Sequence, residues 1–448
     1  MAATFGKKRE IFAMARTTPR TEPNHMKCPM SARDVDLFSP GAQEHWYEAY
    51  PILHRESPVH RIPGEGTTPN HDGFILTKYE DISLVVKDPV RFPAFLSDKP
   101  KPNPDGSQQQ LNAMQVSILS LRPNIELWRA HRQELTDPWV GPGATRNTDM
   151  ITRFADQLID NWIDNGKVDF VNEFARPLPQ MVMAAVLGFP QSDLKKLERW
   201  GTAQVAAFVY GRGHRNQLTP EETAEQFKIL DGFKEYVAEW VVEKRRNPQD
   251  DMISFLTQVT YKALDRKLTD IEINGIVYAM LIGGLETTQY AIAEQAQLLC
   301  EDPELFQTIK HDRSKLRPFT EEGMRLRAPT QGLSTRYTIQ DEEFQGVKVP
   351  KGSILHMRWA AGNLDPDEFE CPAEVMLDRK GVGRHLTFSQ GPRICPGAGI
   401  SRIEQQIAWD RLLDRIDSLE YGEGNTFRHQ PGIMMGLLEL HLTFTKSA

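Results

Sequence analysis

An irregular stretch, FSQGPRICPG from Phe388 to Gly397, delivers Cys395 to the start of the amphipathic run AGISRIEQQIAWDRLL. Pro396 suits the first helical position, where a missing N–H has no bond to lose. The first-turn amides would then point at the Cys395 sulfur, and the helix dipole would favour a thiolate there. Gly391 permits a sharp turn, while Gly397 and Gly399 leave room for a flat group against the backbone. Arg393, two residues before the cysteine, is placed to pair with an anion on that group. A thiolate, a cation and a surface cleared of side chains suit axial ligation of haem iron. The other three cysteines, Cys28, Cys300 and Cys371, show no CxxC spacing and read as small hydrophobes.

Phe388, Gly391, Arg393, Cys395 and Gly397 fit the pattern FxxGxRxCxG, and in these residues the chain resembles the cytochrome P-450 superfamily. The resemblance implies haem b, iron protoporphyrin IX, with Cys395 as the iron ligand and the other four residues around the cofactor. Three more segments run in the family's order. Thr269 and Glu272 form a capping box ahead of a long apolar helix that contains Gly283-Gly284-Leu285-Glu286-Thr287-Thr288. Two glycines and an acid are poor choices for a buried helix, at about 1 kcal/mol per Gly relative to Ala, so they mark either function or a kink packed by small residues. The resemblance makes this the distal helix, with Thr287 hydrogen-bonding the oxygen undergoing reduction and Glu286 carrying protons inward.

Glu322 and Arg325 stand three apart and share a helix face, which by spacing alone reads as a surface salt bridge. The resemblance implies instead a structural pair that locks the segment behind the cysteine loop. Its third partner is left open, because Glu374 follows Pro372 where the family commonly has Arg, and Leu364 also replaces a frequent Arg. Trp128 and Arg132 match the family's WxxxR helix, and with Arg336 and His385 they are expected to hold the haem propionates. Phe208, Tyr210, Met280, Gly283, Leu333, Ile433 and Met434, with Gln331 and Gly332, are the expected substrate walls. That set is mostly apolar and suits a small to medium apolar organic substrate with one polar handle.

The elements that must position these residues are mainly helical. Apolar spacings of three and four predict helices near 146–166, 192–210, 221–246 and 270–300. Alternation predicts strands at Val59–Ile62 and Gly73–Leu76, near 332–357 and near 433–445. The fold class is therefore mainly α (α+β): a single domain over 41–448, a helical body with small β-sheets, preceded by a flexible arm over 1–40. Residues 97–110 read as a loop or lid.

With 53 Lys and Arg against 61 Asp and Glu, the net charge of −8 argues against nucleic acid as a partner. No run approaches the roughly 20 apolar residues of a membrane span, so no membrane anchor is expected and the placement is cytoplasmic. No strand–GxGxxG–helix unit is found, so electrons for dioxygen must come from an external ferredoxin and its NAD(P)H-dependent reductase, with Arg129 available to an acidic partner. The expected function is that of a haem-thiolate monooxygenase. A peroxide-using haem-thiolate enzyme would more often lack the Glu286–Thr287 pair, and a non-catalytic haem-binding or sensor protein would need neither residue.

Overall fold

The computed structural model describes residues 29–37, 42–68, 70–94, 113–209, 218–332, 334–430 and 432–447. Most of the arm, the loop at 97–110, Tyr210, Leu333 and the side chain of Phe208 lie outside the described residues. Helices dominate, and elements from Trp46 to Phe444 share one large apolar core.

The expected strands Val59–Ile62 and Gly73–Leu76 pair antiparallel, Val59 opposite Leu76. Gly73–Leu76 then pairs in parallel with Ile354–Met357, which pairs antiparallel with Thr335–Tyr337 and sets Arg336 opposite Leu355. A second sheet joins Ile416–Tyr421, His441–Lys446 and Lys167–Asp169. Two helices that the apolar spacings did not predict, Trp46–Glu56 and Tyr79–Lys87, flank the first hairpin. Pro51 lies inside the first of them.

The predicted helix over 270–300 is two helices, Asp270–Gly284 and Thr287–Glu301, broken at Leu285-Glu286. The capping box at Thr269 and Glu272 starts the first, with the Thr269 amide donating to the Glu272 carboxylate at 2.8 Å. The second is locked to the cysteine helix, Ala398–Arg415, through a polar chain in the core. Trp409 donates its indole N–H to Gln295 at 2.8 Å, and the Gln295 amide donates to Gln405 at 2.7 Å. Around that chain Trp409, fully buried, stacks on Phe170 and meets Phe319 edge-on. A buried aromatic group of this size stabilises by a few kcal/mol, and the hydrogen bonds fix which way the helix faces.

Glu322 and Arg325, on helix Leu316–Leu326, are wholly buried, so the pair is structural and not on the surface. Arg325 makes two bonds to Glu322, of 2.7 and 3.0 Å, and donates to the carbonyls of Asn363, Pro372 and Glu374. The third partner is Arg379, whose Nε lies 2.9 Å from Glu322 Oε1 and whose guanidinium also reaches the Cys371 and Glu374 carbonyls. Glu374, the residue that departs from the family pattern, contributes only its backbone. Asn363 carries the lock onward. Its carbonyl accepts from Arg325, and its side chain bonds the Leu386 amide and the Thr387 hydroxyl, just ahead of the cysteine loop.

A second buried charge network holds the C-terminal segment. His429 sits 2.9 Å from Glu294 and 3.7 Å from Glu44. Burial opposes its charged form, but the two carboxylates push the imidazole up to about 9, against an ordinary 6.5.

Replacing Arg379 by Ala leaves Glu322 under-paired in the core, and urea unfolding should show a loss of about 3 kcal/mol. For His429 the folded value is raised, so its contribution is complete below the unfolded value of 6.5 and is lost as pH rises through about 9. Unfolding free energy should fall by up to about 3 kcal/mol across that window, and His429→Gln should flatten the profile.

Candidate active site

The cysteine loop is shaped by its own backbone. The Cys395 amide donates to the Phe388 carbonyl at 2.8 Å, closing the turn. Gly391 has φ +71°, and a Cβ there would stand 2.6 Å from the Val86 carbonyl, so glycine is required on both counts. Ser389 takes φ +60° and ψ −169°, a region that L residues rarely enter, and its buried hydroxyl has no hydrogen-bond partner.

The cysteine helix begins at Ala398 with Gly397 as its cap, so Pro396 precedes the cap and is not the first helical residue. The first intrahelical bond runs from the Ser401 amide to the Gly397 carbonyl. Burial pushes the Cys395 thiol up, while the Gly397 amide, Arg132, Arg402 and the Ala398 amide pull it down. A bound metal ion deprotonates such a thiol outright. A Cβ at Gly397 would meet only Cys395 Sγ at 3.9 Å and Ile400 Cγ2 at 4.0 Å, which leaves that face open. Gly399 does not leave room for a ligand: a Cβ there would lie 2.2 Å from the Gly141 carbonyl, so its space is filled by the chain itself. Phe388 is covered by the Arg402 guanidinium, 4.5 Å from the ring centre.

Beside this loop lies a concentration of positive charge. The Trp128 ring carries two guanidiniums, Arg122 at 4.4 Å and Arg393 at 3.9 Å from its centre. Arg132 donates to the Ile394 carbonyl at 2.8 Å and pairs with Asp137 at 3.3 Å. Arg336 is buried, and burial followed by the nearby Arg393 lowers it to about 10; Arg122 is lowered to about 10 by the same two causes. His131, also buried, is held well below its ordinary value by burial and by Arg122 and Arg132. Among the described residues, Arg122 and Arg336 have no carboxylate partner. Their Nε atoms, and both ring nitrogens of His131, are buried without a hydrogen bond. Such a cluster is costly alone and complements an anionic ligand. The two carboxylates of haem fit it.

His385 does not join that cluster. Its Nε2 lies 3.1 Å from Glu321, and its Nδ1 accepts from the Thr387 amide at 3.3 Å. Both ring nitrogens are therefore engaged. Glu321 in turn receives Arg402 from the cysteine helix, which makes His385 a link between helix and loop.

On the other side stands the helix break. A Cβ built at Gly283 meets nothing within 4 Å, whereas one at Gly284 would lie 2.5 Å from Met183 Cγ. The first glycine faces open space and the second permits close packing. Thr287 donates its hydroxyl to the Gly283 carbonyl at 2.8 Å across the break. Thr288 donates to Ser401 at 3.0 Å, which ties this break to the start of the cysteine helix. Glu286 is buried and accepts a hydrogen bond from Tyr290; burial raises its carboxyl above the ordinary range.

Of the expected substrate walls, Met280 is buried on the same helix as Gly283. Ile433 and Met434 form a small apolar cluster with Val205 and Tyr290. The Gln331 side chain is committed to Tyr50 and to the Ala328 carbonyl, and a Cβ at Gly332 would strike the Met357 carbonyl at 2.6 Å. Sequence reasoning missed Arg122, His131, Arg379 and Tyr290. Only Tyr290 carried a local signal, its spacing of four from Glu286.

Known proteins support the same picture. The Cytochrome P450 family profile matches residues 70–443. The polyketide biosynthesis cytochrome P450 PksS of Bacillus subtilis is 25% identical over 86% of this chain and 92% of its own. Mycinamicin IV hydroxylase/epoxidase of Micromonospora griseorubida is 28% identical over 87% of this chain and 94% of its own. Among solved structures, CYP109E1 of Bacillus megaterium in complex with testosterone superposes with TM-score 0.73 at 26% identity, over 88% of this chain and 96% of that one. P450BioI in complex with acyl carrier protein ligated to hexadec-9Z-enoic acid gives TM-score 0.75 at 24% identity, over 90% and 99%.

Ser389→Gly should relieve the loop's backbone strain and remove its unbonded hydroxyl. Urea unfolding should show a gain of about 1 kcal/mol; a loss would mean that the Ser389 conformation is not strained.

Proposed function

Because the chain belongs to the cytochrome P450 family, we propose that it binds haem b through Cys395 and hydroxylates a small to medium apolar organic molecule, using dioxygen and electrons from an external ferredoxin. It is a P450 monooxygenase, an oxidoreductase. When bound, the haem supplies an iron at which dioxygen is reduced, and a thiolate ligand favours O–O cleavage.

The observation that carries this reading is the presence beside the cysteine loop of two guanidiniums, Arg122 and Arg336, whose Nε atoms are buried without a hydrogen bond and which have no carboxylate partner among the described residues. Arg132, Arg336 and Arg393, with Arg122, would neutralise the haem carboxylates, neutral His131 could donate a hydrogen bond to them, and Trp128 supports Arg122 and Arg393 against its ring. Gly397 clears one face next to the sulfur, and Gly283 clears another at the helix break. Thr287 is anchored to the Gly283 carbonyl as a donor, so its oxygen lone pairs stay free to receive a proton donor. Glu286, one residue away, is held toward its protonated form by burial and is the proton source.

Substrate preference follows from the apolar surroundings, Met280 on the distal helix and Ile433 and Met434 near its second half. Among the relatives, one is named for hydroxylating or epoxidising mycinamicin IV and another is solved with testosterone, and organic molecules bound by relatives support an organic substrate for this chain too. For the redox partner, exposed Arg129 and the exposed side chain of Ile394 on the cysteine loop offer an acidic ferredoxin one charge and one apolar contact. An NAD(P)H-dependent reductase would pass electrons to that ferredoxin, and a cytoplasmic location would suit both partners. Among the described residues no helix is long and apolar enough to cross a membrane.

Thr287→Ala removes the hydroxyl but keeps the open face at Gly283. Product formed per electron consumed should drop several-fold and hydrogen peroxide should rise, while the spin shift on substrate binding is kept. An unchanged product-to-electron ratio in an oxygen-uptake assay would contradict the role given to Thr287.

A further inference from the structure

Glu286 is not a free acid at a helix break. The Tyr290 hydroxyl, one turn further along Thr287–Glu301, donates to its carboxyl, and the Gln430 amide donates to that hydroxyl at 2.6 Å while also acting on Glu286. Gln430 belongs to the C-terminal segment and is itself fixed, its backbone amide bonded to the Gly436 carbonyl at 2.8 Å. Tyr290 is buried, and its ring is seated closely: a Cβ at Gly436 would fall 2.6 Å from Tyr290 Cε1. Val205, Ile433 and Met434 complete the pocket around it.

This arrangement constrains the acid. A glutamate side chain at a helix break has enough rotatable bonds to swing toward Thr287 or away from it. A phenol four residues on draws its tip toward the second helix, and the ring cannot turn to release it without disturbing the Gly436 seat. The Gln430 amide, donating to the same hydroxyl, turns its O–H toward Glu286. Bonded to the carboxyl at one end and seated against Gly436 along its ring, the phenol acts as a tether.

We infer that Tyr290 is a positioning residue: held by Gly436 and Gln430, its hydroxyl fixes the Glu286 carboxyl against the start of the second helix and sets when that acid can deliver a proton. This rests on the reading of Glu286 as the proton source. Arg176 and Glu198 also act on Glu286; they stand 3.8 Å apart and both are partly exposed.

The test is Tyr290→Phe, which keeps the ring and its seat and removes only the hydroxyl. Infrared pH titration of the protein, with Glu286→Gln used to assign the carboxyl band, reads the tether without turnover. Losing a donor to the carboxylate should move the band to higher wavenumber and its midpoint upward by about one pH unit. The alkaline limb of the product-to-electron ratio should move by the same amount. An unmoved band, or a moved band with an unmoved coupling profile, would overturn the inference. Glu286→Gln separates the two levels: if it leaves coupling intact, the proton-source reading itself fails, whereas if it uncouples and Tyr290→Phe changes nothing, only the tether fails. Should Tyr290→Phe not fold, Gln430→Leu removes the steering amide from outside the helix. A smaller displacement of the same band supports the tether, and no displacement overturns it.

Discussion

A glutamate and an arginine with no exposed surface, Glu322 and Arg325, set the terms for the half of the molecule that holds the cysteine. A buried charge left unpaired costs several kcal/mol, so each must satisfy its full hydrogen-bonding capacity from the chain around it. Arg325 does so by drawing in three carbonyls, and Glu322 by taking Arg379 and the Met376 amide. The irregular stretch between Asn363 and Arg379 is thereby given a single path, with no regular helix or strand to hold it. Through Asn363 that path reaches Leu386 and Thr387, and so the loop that presents Cys395.

The active site uses the opposite condition. Where the lock around Glu322 gives each of its charges a partner, the region of Arg122, Arg336 and Arg393 gathers cations that repel one another and hold the neighbouring His131 toward its neutral form. A cluster of this kind is tolerable in a fold that completes it with an anion. Facing it is a helix whose continuity is given up at Leu285-Glu286, with Gly283 opening a space and Thr287 closing the gap in hydrogen bonding. Stability is held in the core chain of Trp409, Gln295 and Gln405, while the cofactor face is left incomplete.

How much could be read in advance depended on whether a residue's role was local. Val59–Ile62 and Gly73–Leu76 are strands because short β-favouring runs end at turn residues, and both were found at their stated bounds. The cysteine loop was readable because Gly391 must take a positive φ. Arg379 was not, since its partner is chosen by how an irregular stretch folds back, and no periodicity records that. The contacts of His385 were not readable either, since its ring nitrogens meet Glu321 and Thr387 within the loop's own packing. Gly399 was read as room for a ligand when it is room for Gly141, a distinction that depends on which backbone approaches. The break in the distal helix lay in the Gly-Gly-Leu-Glu run, but its tether, Tyr290, becomes visible only with the ring seat at Gly436.

Binding of the haem iron by Cys395 as a thiolate is the proposal on which the site's chemistry rests. The most direct measurement is the absorption spectrum of the reduced, haem-loaded protein under carbon monoxide, compared with Cys395→His. The wild type should give the strongly red-shifted Soret band of thiolate-ligated haem, and the variant should lose it. A wild-type band at the position typical of histidine-ligated haem, or a variant that keeps the red shift, would contradict the assignment.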